Sequence, residues 1–243
     1  MAKGTTTKRK PRRRKAHARA PFRPVRWLVR WAMRGVAAVV AVVVLGIVLF
    51  AFVNPPTTPY MFAEGRRLGG VDQVWVPFDE IAPVMARSAV AAEDANYCLH
   101  WGLDVTAIRA AMDGGPGGAS TISQQVVKNV YLWHGRSWVR KAIEALMTPM
   151  VELVWTKERI LEVYLNVAEF DEGVFGIEAA ARHYFGVSAR ELTGQQAARL
   201  AAILPAPKSR SASRPSGFVA SRARGIADGA ATIARDGRAG CFE

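Results

Sequence analysis

"AAEDANYCLHWG", residues 91–102, ends an alanine-rich run with two adjacent carboxylates, Glu93 and Asp94, and places His100 seven residues after the first. No Lys or Arg lies within four residues of Glu93 on either side. Pro83 suits a first helical position, so the spacing predicts a helix from there to about Asn96, with Glu93 in its last turn. The negative end of the helix dipole disfavours an ionised acid there. The neighbours three and four residues away are Ala89, Val90, Asn96 and Tyr97. If they bury Glu93, desolvation raises its pKa as well, which suits proton transfer near neutral pH. The plain alternative is an exposed acid with an ordinary pKa, and these residues alone leave both open.

Outward from this stretch the chain reads as almost all helical. "TISQQVVKNVYL" and "SWVRKAIEALM" predict helices, the second capped by Ser137, and Thr156 caps a further one through "KERILEVYLN". "IEAAARHYFG" and "TGQQAARLAAIL" follow, stopped by Gly186 and Pro205. After the loop "PAPKSRSASRPSG", a last helix covers 218–235. Val74–Val76 suits a short extended piece, and little else reads as strand. The expected class is mainly α. Ile160, Leu161, Val163, Tyr164 and Leu165 are too apolar all round for an exposed helix, so Glu162 is expected to be buried and paired.

The 243 residues carry 33 Lys+Arg against 20 Asp+Glu, a formal net charge of +13. Residues 1–34 hold 13 of the basic residues and no acid, which leaves 35–243 formally neutral. Residues 35–53, "GVAAVVAVVVLGIVLFAFV", carry no charge. As a helix they span roughly 28 Å, close to the ~30 Å hydrocarbon core. Trp27 and Trp31 stand at the basic end, as interfacial aromatics do. A cleaved signal peptide has a shorter run and a small-x-small site, whereas this run ends "AFVNPP". The expected organisation is a basic cytoplasmic tail (1–34), a transmembrane helix (35–53), a proline-rich linker (54–69) and a folded domain (70–243). The positive-inside rule places the tail in the cytoplasm and everything after Asn54 outside it. Topology thus accounts for the charge, and no nucleic-acid partner is expected. Cys98 and Cys241 are the two cysteines. They are free to pair in an oxidising compartment, but sequence leaves their approach open, and neither has metal-ligand spacing.

"EDANYCLHWG" resembles the first motif of the bacterial peptidoglycan glycosyltransferases, glycosyltransferase family 51, E-D-x-x-F-x-x-H-x-G. Glu93, Asp94, His100 and Gly102 match, with Tyr97 in place of Phe. Four more motifs follow in family order: "GASTISQQVVKN" (118–129), "RSWVRKAIE" (136–144), "KERILEVYLN" (157–166) and "GVFGIEAAARHYFG" (173–186). Similarity extends from about 70 to 209. The resemblance implies a lysozyme-like helical domain that polymerises lipid II and releases undecaprenyl pyrophosphate. It makes Glu93 the general base on the acceptor 4-hydroxyl. Lys128, Arg136, Arg140 and Lys141 would hold the pyrophosphates, a task bidentate arginines suit. Glu144, the second family glutamate, lies one turn after Arg140; it either orients those cations or helps hold a divalent metal, and the bland reading is an ordinary i, i+4 ion pair. Asp94, Ser120, Gln124, Gln125 and Asn129 complete the expected substrate contacts, while His100, Gly102 and Thr121 shape the site.

Gly173 and Gly176 suggest a tight backbone path. Asp171 stands where many members carry Gly, which leaves the local loop open. Trp133 and Trp138 bracket the "HGR" turn and suit either lipid contact or core packing. A divalent cation, Mg2+ or Mn2+, is compatible with pyrophosphate, but no ligand cluster fixes one. The implied partners are lipid II, the nascent glycan chain, the cytoplasmic membrane and cell-wall synthesis machinery. About 57 residues follow Gly186, too few for a transpeptidase domain, so a monofunctional enzyme is expected. A lysozyme-like glycan-cleaving enzyme is the alternative, though it has no need of four clustered cations. A non-catalytic assembly scaffold would not require Glu93 and Glu144.

Overall fold

The uncharged run folds as a helix that starts earlier than the run itself. The computed structural model describes residue 1 and residues 24–114, 120–135 and 137–243. Helix α1 spans Pro24–Phe50, so Arg26, Trp27, Arg30, Trp31 and Arg34 are helical rather than part of a tail. Pro24 opens the helix, where its missing N–H goes unneeded, and none of the residues that follow breaks it. With 27 residues it is about 40 Å long. Among the described residues it is the one helix long and apolar enough to cross a membrane. It stops at Phe50 rather than Val53, because Asn54-Pro55-Pro56 follow and a residue before proline avoids helical geometry.

The chain divides into two compact units, Met1–Val44 and Leu45–Glu243. The second includes the last turn of α1. There Ile47 is buried, and its carbonyl accepts from Trp155 Nε1 at 2.7 Å. Arg159 donates to the Phe50 carbonyl at 3.1 and 3.2 Å, to the Val53 carbonyl at 3.0 Å and to Asn54 Oδ1 at 2.9 Å. The last carbonyls of a helix lack partners within it and carry its negative end. A guanidinium answers both needs.

The stretch expected to be a linker contains helix α2 (Pro59–Leu68), with Pro59 at its first position. Thr58 caps it by accepting from the Met61 N–H at 3.1 Å, and Met61 is buried. Prolines punctuate this segment without preventing a helix between them. The remaining helices form two groups. In one, α3 (Pro83–Glu93), α9 (Gly194–Ile203) and α10 (Gly217–Asp236) pack mutually. Buried Ala86, Ala89, Ala197, Ala198, Ala201 and Ala223 let these helices approach closely. In the other, α5 (Ile122–Tyr131) packs against α6 (Trp138–Val154) and α7 (Lys157–Val167). Helix α6 runs past the expected end at Met147 and through Pro149. Proline forfeits one backbone bond, while Met147, Thr148 and Val151 stay buried on either side. Short α4 (Val105–Met112) and α8 (Ile177–Phe185) complete the set.

Strands occur where little strand was expected. β1 (Asp72–Gln73), β2 (Glu169–Asp171) and β3 (Val174–Phe175) form a sheet in the order β1-β3-β2. β1 is parallel to β3 with Asp72 opposite Val174, and β2 is antiparallel to β3 with a bulge between Glu169 and Asp171. Such short strands are too brief to show an alternating pattern. Val74–Val76 is not a strand; the Val76 N–H and carbonyl bond instead to the Asn166 carboxamide, each at 2.9 Å. Asp171 accepts from the Tyr184 hydroxyl at 2.9 Å, which fixes the loop left open above. Gly176 has φ +81°, and a Cβ there would lie 2.9 Å from the Asn166 carbonyl oxygen. Glu162 is paired as expected, with Arg159 at 2.9 Å, but half-buried rather than buried.

Cys98 and Cys241 are joined in a disulfide, with their Cα atoms 5.7 Å apart and a sequence separation of 143. It ties the segment after α10 to the segment after α3. Replacing both cysteines by serine should lower unfolding free energy by about 2–5 kcal/mol, measured by denaturant titration in detergent. Unchanged stability would mean that α3–α10 packing suffices by itself.

Candidate active site

Glu93 is the last residue of α3 and faces a cleft of about 670 Å³ that Asp94, Asn96, Ser120, Gln125 and Arg222 also line. Gln125 and Pro205 are shared with a second cavity of about 470 Å³, lined by Tyr60, Lys128, Asn129, His134 and Lys208. Gln125 Nε2 donates to Glu93 Oε2 at 2.9 Å, and Arg222 Nη2 lies 3.7 Å from Oε1. Burial pushes the Glu93 carboxyl above the ordinary range, against the Gln125 hydrogen bond and the charges of Arg222 and Lys128. Desolvation of the charged form is the larger effect.

Asp94 sits behind Glu93. Its side chain is 2% exposed; Oδ1 lies 2.8 Å from His100 Nε2, and Oδ2 accepts from the Ile122 N–H at 3.0 Å. Both oxygens are engaged within the protein, so the structure shows Asp94 supporting the site. Thr121 caps α5 in a box with Gln124: the Gln124 carboxamide accepts from the Thr121 N–H at 3.1 Å. The Gln124 carboxamide oxygen is therefore engaged and the residue buried. This is the ordinary fate of a Gln three residues after a capping Thr. The Thr121 hydroxyl donates to the Gly102 carbonyl at 2.6 Å. Gly102 has φ +77°, and a Cβ there would lie 2.5 Å from Thr148 Cγ2. Hydrogen bonds thus link His100 to Asp94 and Thr121 to Gly102.

The cations gather on α5 and α6. Lys128 lies one turn after Gln124 on α5, and burial holds its ammonium below the usual lysine range. Among the described residues it makes no hydrogen bond. Arg140 Nη1 donates to Glu144 Oε2 at 2.5 Å, and Lys141 donates to Glu144 Oε1. Lys141 also reaches the exposed Ser120 hydroxyl at 3.0 Å. Glu144, with a side chain 3% exposed, therefore orients two cations. Asn129 Oδ1 lies 3.2 Å from His134 Nε2. Arg136 falls outside the described residues. Trp133 and Trp138 are exposed, Trp138 at 87%, so neither is a core residue.

The sequence profile of the transglycosylase family matches residues 63–231. The chain belongs to that family. It is 66% identical over 197 residues to a biosynthetic peptidoglycan transglycosylase of Jannaschia sp. (strain CCS1), covering 81% of this chain and 82% of that one. It is 46% identical over 200 residues to the Caulobacter vibrioides protein of the same name, covering 80% and 87% of the two chains. A Pseudomonas putida protein of that name is 48% identical over 189 residues, covering 73% and 80%.

Within this transglycosylase fold, two features escaped the sequence reading. Arg222 reaches Glu93 from α10, far along the chain, and no local pattern marks it. Buried Glu152 pairs with Lys157 at 2.8 Å and accepts from the Ser123 hydroxyl, while Lys157 also donates to the His100 carbonyl. Helical spacing hints at neither contact, since both link separate elements. Glu144→Gln should lower stability by about 3 kcal/mol, because removing one partner of a buried pair strands the other. Thermal unfolding checks this, and an unchanged midpoint would show Arg140 and Lys141 to be solvated without it.

Proposed function

We propose that this transglycosylase polymerises lipid II into linear glycan strands on the outer face of the cytoplasmic membrane. Juxtaposition carries the reading: Glu93, a largely enclosed carboxylate, lines a cleft whose Ser120 meets Lys141 and whose Gln125 also borders the cavity that holds Lys128. Glu93 takes the proton of the acceptor 4-hydroxyl as that oxygen bonds to the donor's anomeric carbon. The bond from that carbon to the pyrophosphate oxygen breaks, and undecaprenyl pyrophosphate leaves with the electron pair. Lys128, Arg140 and Lys141 face the charge that develops on it. Arg136 joins them in this reading by its place in the third motif. Gln125 and Ser120 offer neutral hydrogen bonds to sugar groups.

A resident divalent metal does not fit the described residues. No group of three His, Cys, Asp or Glu among them stands ready to hold one, and Glu144 is already matched by two cations. Mg2+ or Mn2+ is proposed only as a counter-ion carried by the pyrophosphates. The N-terminal helix supports confinement with an isoprenoid-linked substrate, which raises effective concentration. The 13 basic residues of positions 1–34, ten before the helix and three in its first turns, support a cytoplasmic N-terminus. On α6, Val139, Leu146 and Leu153 recur every seven residues and are exposed, a stripe suited to an apolar surrounding. The remaining proposed partners are the nascent glycan and the cell-wall synthesis machinery.

Detergent-solubilised protein supplied with labelled lipid II should make glycan, and Glu93→Gln should reduce the rate about 10²–10⁴-fold. A base must be ionised, so wild-type activity should fall with pH through a midpoint above the ordinary carboxylate value, the direction in which burial moves Glu93. Equal product from both proteins would remove Glu93 from the mechanism. Cleavage of finished peptidoglycan without polymerisation would put a lytic enzyme in its place.

A further inference from the structure

We propose that Arg222 is a positioning residue for Glu93, delivered by the C-terminal helix and held by that helix's attachment to the segment beside the base. The inference rests on the reading of Glu93 as the general base.

Several contacts join the C-terminal segment to residues 92–98. Arg222 Nη2 donates to the Ala92 carbonyl at 3.3 Å, Arg238 Nη1 donates to the Ala95 carbonyl at 3.3 Å, and Cys241 is bonded to Cys98. Val219, Ala223 and Ile226 bury the inner face of α10 around Arg222. Ala92 is the next-to-last residue of α3, so its carbonyl has no partner within the helix. A guanidinium there caps the helix and opposes the dipole end on which Glu93 sits.

The carboxylate is thus held from two sides. Gln125, on α5, hydrogen-bonds Oε2. Arg222, on α10, faces Oε1 at 3.7 Å, too far for a hydrogen bond and close enough for charge attraction. Oε1 is therefore oriented without being occupied, which leaves it free to take a proton. Arg222 Nε is buried, and among the described residues it has no hydrogen-bond partner. Packing of α10, rather than a polar network, sets where the guanidinium lies. The other charged or titratable groups facing Glu93 are Lys128 on α5, Asp94 beside it and the Tyr164 phenol on α7. Arg222 and Lys128 oppose the rise that burial produces.

The test compares wild type, R222Q and R222K in lipid II polymerisation across pH. Removing the cation raises the affinity of Glu93 for its proton, so the acid limb of kcat/KM should move up by about one pH unit in R222Q. That is a roughly tenfold loss at pH values below both limbs, with activity regained at higher pH and KM unchanged. R222K should bring the limb most of the way back. Near-ultraviolet circular dichroism establishes that the variants are folded. A limb that does not move in R222Q, or a raised KM with the limb fixed, overturns the proposal; the latter makes Arg222 a substrate contact. The Glu93 carboxyl is also titrated without substrate, by infrared difference against E93Q. The midpoint should be higher in R222Q than with Arg222 present, and an equal midpoint overturns the proposal. This arm needs no turnover, so a wild type that makes no glycan defeats the functional reading while Arg222 is still judged.

Discussion

The Asp94 carboxylate pins together the two halves of the cleft. One oxygen meets His100 and the other accepts from the first helical N–H of α5. Glu93 precedes it on α3, so this link sets the base against Gln125 and brings Lys128 into the same region. Burying a carboxylate is unfavourable unless its oxygens are matched, and here a ring nitrogen and an unpartnered helix N-terminal amide match them. The two helical groups contribute different charges: α3 and α10 bring Glu93 and Arg222, and α5 and α6 bring Lys128, Arg140 and Lys141.

Charge on the cation side is arranged by subtraction. Arg140 and Lys141 converge on Glu144, which fixes two flexible side chains before any substrate arrives. Lys128 is left without a hydrogen bond among the described residues, and burial disfavours its charge. An incoming pyrophosphate would supply the missing partner. Such pre-positioned, incompletely matched charge is what stabilises an anion that forms only as a bond breaks.

Much of this was legible in sequence because its causes are local. Thr121, Ser137 and Thr156 each cap the helix they precede, and the position of Glu93 in the last turn of α3 follows from Pro83 and the alanine run. Motif order marked the cations and both glutamates. The misses have non-local causes. The bond of Gln124 to Thr121 is local, but the meeting of Asp94 with the start of α5 is not. Helix α6 passes Pro149 because tertiary burial outweighs propensity. The strands are too short for a period. Arg222 and the disulfide depend on how α10 lies on α3.

The disulfide encloses every helix from α4 to α10 in one loop. Its sulfurs meet because α10 lies on α3. A covalent loop that long removes conformations from the unfolded chain. The helices alone set the native packing, and the bond is a tether on the disordered state rather than a brace of the folded one.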